Sequence, residues 1–317
     1  MIDPKLVTVF GGSGFIGRYV CEQLFDYGEY EIRVRVVTRN PRTAHALQPL
    51  SQVGQFGIVR GDVTNAASVR DAVAGASTVI NLTGAFKGMG AVHVRGARDV
   101  AKAARDAGVS SLVHISAIGA DAESEAVYAR TKGEGEAAVR DAFPDATIIR
   151  PSVVFGPEDS FANKLAGLSR LPVLPVIAPN CRFQPVYVED LAKAIARAAV
   201  DPRAHGGKTY EIGGPQVLTM REFTAEILKA ANRDTELVEV PSPVASLMSY
   251  FGFLPGAPLT RDQWLMLQHD NVVGEGTPGL DAFGIRPTPF GAVAPEWLGM
   301  YGGSRFARRR VNITAIH

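Results

Sequence analysis

A chain of 317 residues, 46% of them apolar, can bury one large core or two modest ones without covalent staples. With 33 Lys and Arg against 32 Asp and Glu, the formal charge is +1, which excludes a strong overall field for nucleic acid, so no nucleic-acid partner is expected. Two cysteines, Cys21 and Cys181, are too few and too far apart for a disulfide framework or a CxxC pair and are expected as core thiols.

Residues 1–4 run directly into an apolar strand, so no secretory or transit presequence is expected. No apolar stretch reaches the roughly 18 to 20 residues of a spanning helix. Short β-branched runs at 6–10, 33–37, 56–60, 78–82, 112–116 and 147–150 read as strands. Between them, Ala- and charge-patterned segments at 17–27, 66–74, 91–107 and 128–143 have helical length, each followed by a Gly, Pro or polar break. The alternation predicts an α/β fold with a Rossmann-type doubly wound parallel sheet.

After Pro151 the regularity fails. Residues 168–185 carry four prolines in an apolar context, which predicts a covering loop and not a helix. A helix returns at 188–200, a strand at 209–212 and a helix at 220–231, followed by a Pro- and Gly-rich tail to 317. The expected division is a dinucleotide-binding domain of residues 1–155 plus 183–214. Residues 156–182 plus 215–317 then form a small discontinuous C-terminal cap with a basic tail.

The run VFGGSGFIGR, Val9 to Arg18, lies between the first strand and the first helix. Gly11 permits the tight turn, Gly14 lets a pyrophosphate approach the backbone and Gly17 allows helix and sheet to pack closely. Ser13, Phe15, Ile16 and Arg18 complete this candidate turn, and the helix N-terminus offers its amides to phosphate. The second strand ends without an acid to hold a free ribose, and Arg39 stands where a guanidinium meets a 2′-phosphate, which points to NADPH. Arg18 is the expected second contact. Asp62 and Val63 past the third strand are assigned to the adenine edge, and Leu82, Thr83 and Gly84 past the fourth to the ribose. Pro151, closing the sixth strand, joins the expected cofactor contacts.

Ser116 ends a strand, and Tyr128 and Lys132 stand four residues apart on one helix face. A phenol titrates near 10, and a cationic neighbour lowers it toward the working range. In that reading Ser116 holds a substrate oxygen, Tyr128 passes a proton, and Lys132 tunes the phenol and grips the nicotinamide ribose. No metal is expected.

VFGGSGFIGR, GDVTN, HISAIGAD and YARTKGEGE together resemble the extended and atypical short-chain dehydrogenase/reductase family over roughly the first two thirds of the chain. IIRPSVVFGPEDSFANKLA, FQPVYVEDLAKAI, LTMREFTAEIL and LTRDQWLMLQHDNVV are similar to the dehydrogenase-like accessory subunits of respiratory complex I and their proteobacterial relatives. That resemblance spans almost the whole chain. It implies tightly held NADPH with a structural role, no redox turnover of its own, and other complex I subunits as partners. It also implies a peripheral place on the cytoplasmic face of the bacterial inner membrane, with a lipid headgroup or quinone contact. The alternative is an active NADPH-dependent reductase or epimerase-type enzyme in quinone metabolism. One departure bears on the choice: many active extended members carry an asparagine in the helix after the fourth strand, where this chain has His93.

Residues 240–260 are apolar and uncharged and read either as the roof of the cap or as an exposed contact patch. In the tail, Arg305, Arg308, Arg309 and Arg310 flank Phe306. This end is either unfolded or meets anionic headgroups or an acidic subunit.

Overall fold

The computed structural model describes residues 5–27, 31–252 and 259–302. Six of its strands follow the expected alternation: β1 (Lys5–Phe10), β2 (Ile32–Thr38), β3 (Phe56–Arg60), β4 (Thr78–Asn81), β5 (Ser111–Ile115) and β6 (Thr147–Pro151). The strand Thr209–Ile212 adds a seventh beyond β6. From that strand the order runs β6, β5, β4, β1, β2, β3, and every pairing is parallel. The sheet is therefore doubly wound, with its order reversing between β1 and β4.

Helices cover both faces, which is why the strands read as near-continuous apolar runs. On one face α1 (Phe15–Phe25) and α6 (Val188–Val200) bury Val20, Leu24, Leu191 and Ile195 against Val7, Val9 and Val34. On the other, α2 (Ala66–Val73), α3 (Ala97–Asp106) and α4 (Val127–Ala142) bury Val69, Val100 and Val139 against Phe10, Val79 and Leu112. Cys21 and Cys181 are both buried free thiols, as expected.

The expected helix over 91–107 is only partly α-helical. Residues Gly90–Gly96 form a π-helical turn before α3 begins. The wider turn brings the His93 carbonyl onto α4 at Gly135, where a Cβ would stand 2.2 Å from that oxygen.

Residues 168–185 are not simply a loop. They begin at the end of α5 (Phe161–Leu168) and include two short strands. Val173–Val176 pairs in parallel with Glu236–Glu239, and Arg182–Phe183 pairs antiparallel with Leu218–Thr219. A two-stranded ribbon leaves one edge of each strand without a ladder, and Pro175 sits there at an exposed position. The partner strands lie far along the chain, so no local pattern announces them. Over this layer Phe155, Phe223, Ile227, Phe290 and Leu298 form a separate apolar cluster.

The described part of the apolar stretch 240–260 divides between buried and exposed side chains. Helix Ser242–Tyr250 buries Ala245 with Leu259 and Trp264, while Val244, Leu247, Tyr250 and Phe251 stay exposed. Residues 253–258 and the basic tail at 305–310 lie outside the described residues.

Candidate cofactor-binding site

The sequence-assigned residues Gly11, Arg39, Asp62, Leu82, Ser116 and Pro151 all stand at the C-terminal edge of the sheet, around the crevice where the strand order reverses. In open α/β sheets that crevice is where ligands bind. Gly11 adopts φ +78°, a left-handed conformation that favours glycine, and its carbonyl accepts the Gly14 N–H at 2.9 Å. A Cβ on Gly17 would lie 2.2 Å from that same carbonyl oxygen, so helix and turn touch backbone to backbone. No side chain caps α1 and no acid occupies its first turn, which leaves the amides there available to an anion. Ser13 Oγ donates to Thr38 Oγ1 at 3.0 Å, Phe15 packs edge-on against Tyr19 at 6.1 Å, and Ile16 packs onto the core.

Beyond β2 and β3 a cavity of about 320 Å³ is lined by Arg39, Arg60, Gly61, Asp62, Asn65 and Ser68. Asp62 Oδ1 accepts the Thr64 N–H at 2.9 Å and the Thr64 hydroxyl at 2.8 Å. Those bonds, helped by the Arg39 charge, hold its carboxyl below the usual carboxylate range. Val63 is buried, touching the position a Cβ would take at Gly96. Arg18 is not in this lining. Its guanidinium lies 3.8 Å from Glu158, which also accepts the Tyr19 hydroxyl at 2.8 Å, and its buried Nε has no hydrogen-bond partner among the described residues. The second guanidinium in the cavity belongs to Arg60, which sequence reasoning missed although it ends β3 directly before Gly61 and Asp62.

At the other end of the crevice, Leu82 approaches Gly11 closely, and Thr83 donates through its N–H and hydroxyl to Asn81 Oδ1 at 3.2 and 2.6 Å. Around Gly84 there is open space. Ser116 follows β5, and its buried Oγ has no partner among the described residues. Tyr128 and Lys132 occupy successive turns of α4, with Lys132 Nζ 6.0 Å from the Tyr128 ring centroid and donating to the Ile115 carbonyl at 3.0 Å. Pro151 is buried at the end of β6, where its carbonyl accepts the Ile118 N–H. The fold thus brings Ser116, Tyr128 and Lys132 to one end of the crevice.

Their electrostatics differ from the expectation. Burial pushes the Tyr128 phenol up to about 12, where a cationic neighbour was expected to pull it down. Burial also pushes Lys132 down to about 8, against an opposing pull from Glu136. Desolvation is the leading cause for both groups, because burial disfavours the charged form of each. Phe86, also missed, stacks on Tyr128 with centroids 5.3 Å apart while remaining 72% exposed. Its place in a Gly-flanked loop after a strand end was the available signal.

His93 is a strut. Its Nε2 accepts the Ala85 N–H at 3.1 Å. The Thr131 hydroxyl donates to the Val127 carbonyl, so it accepts from His93 Nδ1–H at 2.9 Å. Burial, aided by Lys132, pushes the imidazole down to about 4, and the ring is neutral with both nitrogens satisfied. Between about 6.5 and 4 the unfolded chain binds a proton that the folded one refuses, so stability falls as the pH falls through that window. Urea unfolding at pH 6.5 and pH 4 should show the wild type losing about 3 kcal/mol more than His93→Asn. Equal losses would show that the imidazole is protonated in the fold.

A family model described as NAD(P)H-binding matches residues 11–165. The mitochondrial NADH dehydrogenase (ubiquinone) 1 alpha subcomplex subunit 9 of Rattus norvegicus is 34% identical over 300 residues, covering 91% of this chain and 78% of that protein. The mitochondrial NADH-ubiquinone oxidoreductase 40 kDa subunit of Neurospora crassa is 27% identical, covering 94% of this chain and 80% of its own length. Among solved structures, an NADPH-dependent quinone oxidoreductase of Escherichia coli complexed with NADPH superposes with a TM-score of 0.74 at 21% identity. It covers 92% of this chain and 99% of that one, a likeness of fold.

Proposed function

The chain belongs to the family of the NADH dehydrogenase (ubiquinone) 1 alpha subcomplex subunit 9 proteins, built on an NAD(P)H-binding, short-chain-reductase-like fold, and from this we propose that it is an NADPH-binding accessory subunit of a respiratory NADH:quinone oxidoreductase. Its role is structural, and its partners are other subunits of that complex. It sits peripherally on the cytoplasmic face of a bacterial inner membrane, where the apolar face of 242–251 and the basic tail meet a subunit, lipid headgroups or quinone. No helix of the described residues is long and apolar enough to cross a membrane.

The residues present fit the cofactor. No side chain caps α1 and no acid occupies its first turn, and among the described residues Arg18 Nε and Ser116 Oγ are buried polar atoms without partners. Gly11, Ser13, Gly14 and Gly17 with the α1 amides hold the pyrophosphate. Arg39, Arg60, Asp62 and Val63 hold the phosphorylated adenosine, and Leu82, Thr83, Gly84, Lys132 and Pro151 line the nicotinamide riboside. When bound, a nicotinamide cofactor supplies hydride. Residues 1–155 with 183–214 carry it, and 156–182 with 215–317 carry the docking surface. A ligand bound only by the folded state, at a concentration a thousandfold above its Kd, adds about 4 kcal/mol of stability.

The observation that carries the structural role is the contrast between the two ends of the crevice. At the phosphate end the α1 amides carry no side-chain cap, while the Tyr128 ring stacks on Phe86 and burial pushes its phenol up to about 12. A proton donor working near neutral pH needs a phenol that titrates nearer to that pH. Tyr128→Phe is therefore expected to leave NADPH content, complex assembly and quinone-dependent respiration unchanged. Loss of respiration with cofactor retained would favour the reductase reading, to which the Ser116 hydroxyl, without a partner among the described residues, lends its support.

A further inference from the structure

Helix α4 carries Tyr128 and Lys132, yet its own sequence does not cap it. Its N-cap is Ala126, which offers no side-chain acceptor, and its first turn holds no acid. The missing acceptor arrives from 135 residues away. Asp262 Oδ1 accepts the Val127 N–H at 2.5 Å, and Oδ2 accepts the Tyr128 N–H at 3.2 Å. One carboxylate thus satisfies two orphan amides and lays a negative charge at the positive end of the helix.

Asp262 is itself rigidly presented. Thr260 and Gln263 close a reciprocal capping box around it. Trp264, two residues on, is buried with Ala245 and Leu259. Its support is therefore the packed pair of helices Ser242–Tyr250 and Arg261–Met266, whose outer face exposes Val244, Leu247 and Tyr250. Downstream, Asn271 bonds the Ile118 carbonyl, the Ser152 hydroxyl and the Val153 N–H, tying the same segment to the loops after β5 and β6.

We propose that Asp262 is a positioning residue for the nicotinamide half of the site: it sets the first turn of α4, and with it Tyr128 and Lys132, from the apolar helix pair. The Tyr128 amide it holds belongs to the residue whose ring meets Phe86 and His93. Linkage is reciprocal, so ligand in the nicotinamide half firms the helix pair, and whatever fixes the helix pair firms that half. Only the ligand part of the test depends on the proposed cofactor.

Asp262→Asn keeps the shape but aims an amide N–H at a backbone N–H. In the full-length protein, Asp262→Asn and Asp262→Ala are each expected to weaken NADPH binding about five- to tenfold, the scale of a lost cap. Binding of 2′,5′-ADP, which occupies only the adenosine end, should stay within about twofold. Hydrogen exchange of amides 127–131 should quicken in both variants without any ligand present, and saturating NADPH should slow exchange at 259–266 in the wild type. Equal loss of both ligands would make Asp262 a general stability residue, and unchanged exchange at 127–131 would remove the cap; either overturns the proposal. A wild-type chain that binds no NADPH refutes the cofactor reading instead, and the ligand-free exchange comparison still decides the role of Asp262.

Discussion

Gly17→Ala is expected to empty the site of cofactor and destabilise the fold by about 3 kcal/mol, the upper range for overpacking a close contact. The added Cβ would stand 2.2 Å from the Gly11 carbonyl oxygen and 2.6 Å from the Gly12 Cα. Both are backbone atoms, so no side-chain rotation relieves the clash and α1 must back away from β1. That movement withdraws the α1 amides from the phosphates they would bind, and an affinity loss on the order of a hundredfold follows from such a retreat. Gly57→Ala is the control: it lies in β3 with nothing within 4 Å of its Cβ position and should change stability by less than about 0.5 kcal/mol. Urea unfolding together with the nucleotide retained on purification reads both effects. A Gly17→Ala protein with wild-type stability and full cofactor would refute the backbone contact.

The second large effect concerns the choice between NADPH and NADH. Arg39 and Arg60 line the same cavity beside Asp62, and a 2′-phosphate placed there meets two guanidiniums and one carboxylate. Removing either arginine as Ala should weaken NADPH about tenfold, the value of one charge-assisted hydrogen bond. Arg39→Asp should weaken it on the order of a hundredfold or more, because it replaces attraction with repulsion beside Asp62. NADH lacks the phosphate and should bind all of these variants within about twofold of the wild type. Titration of both nucleotides gives the ratio directly. A parallel loss of NADH affinity would mean that the arginines hold the fold or the adenine, and not the phosphate.

The two predictions differ in how far the chain itself announces them. Gly11, Gly14 and Gly17 act within one turn and one helix start, and β3 and the start of α2 fall where the pattern puts them. Arg39 was legible because it follows a strand end. Its companion was not: Arg60 shares the cavity because β3 lies beside β2, while Arg18, nearer in sequence to the turn, is drawn to Glu158 some 140 residues on.

Periodicity, glycine spacing and strand-end position are properties of neighbouring residues, and they determined the doubly wound sheet, its crevice and the candidate cofactor turn. What came only with the tertiary structure depends on groups far apart in sequence sharing space and losing water together. Examples are the Tyr128 phenol pushed up by burial, the neutral His93 strut between the loop after β4 and helix α4, the ribbon joining 173–176 to 236–239, and the cap that Asp262 lends to α4. Desolvation and contacts over such separations are set by which elements the sheet brings together, and no stretch of the chain carries that information alone.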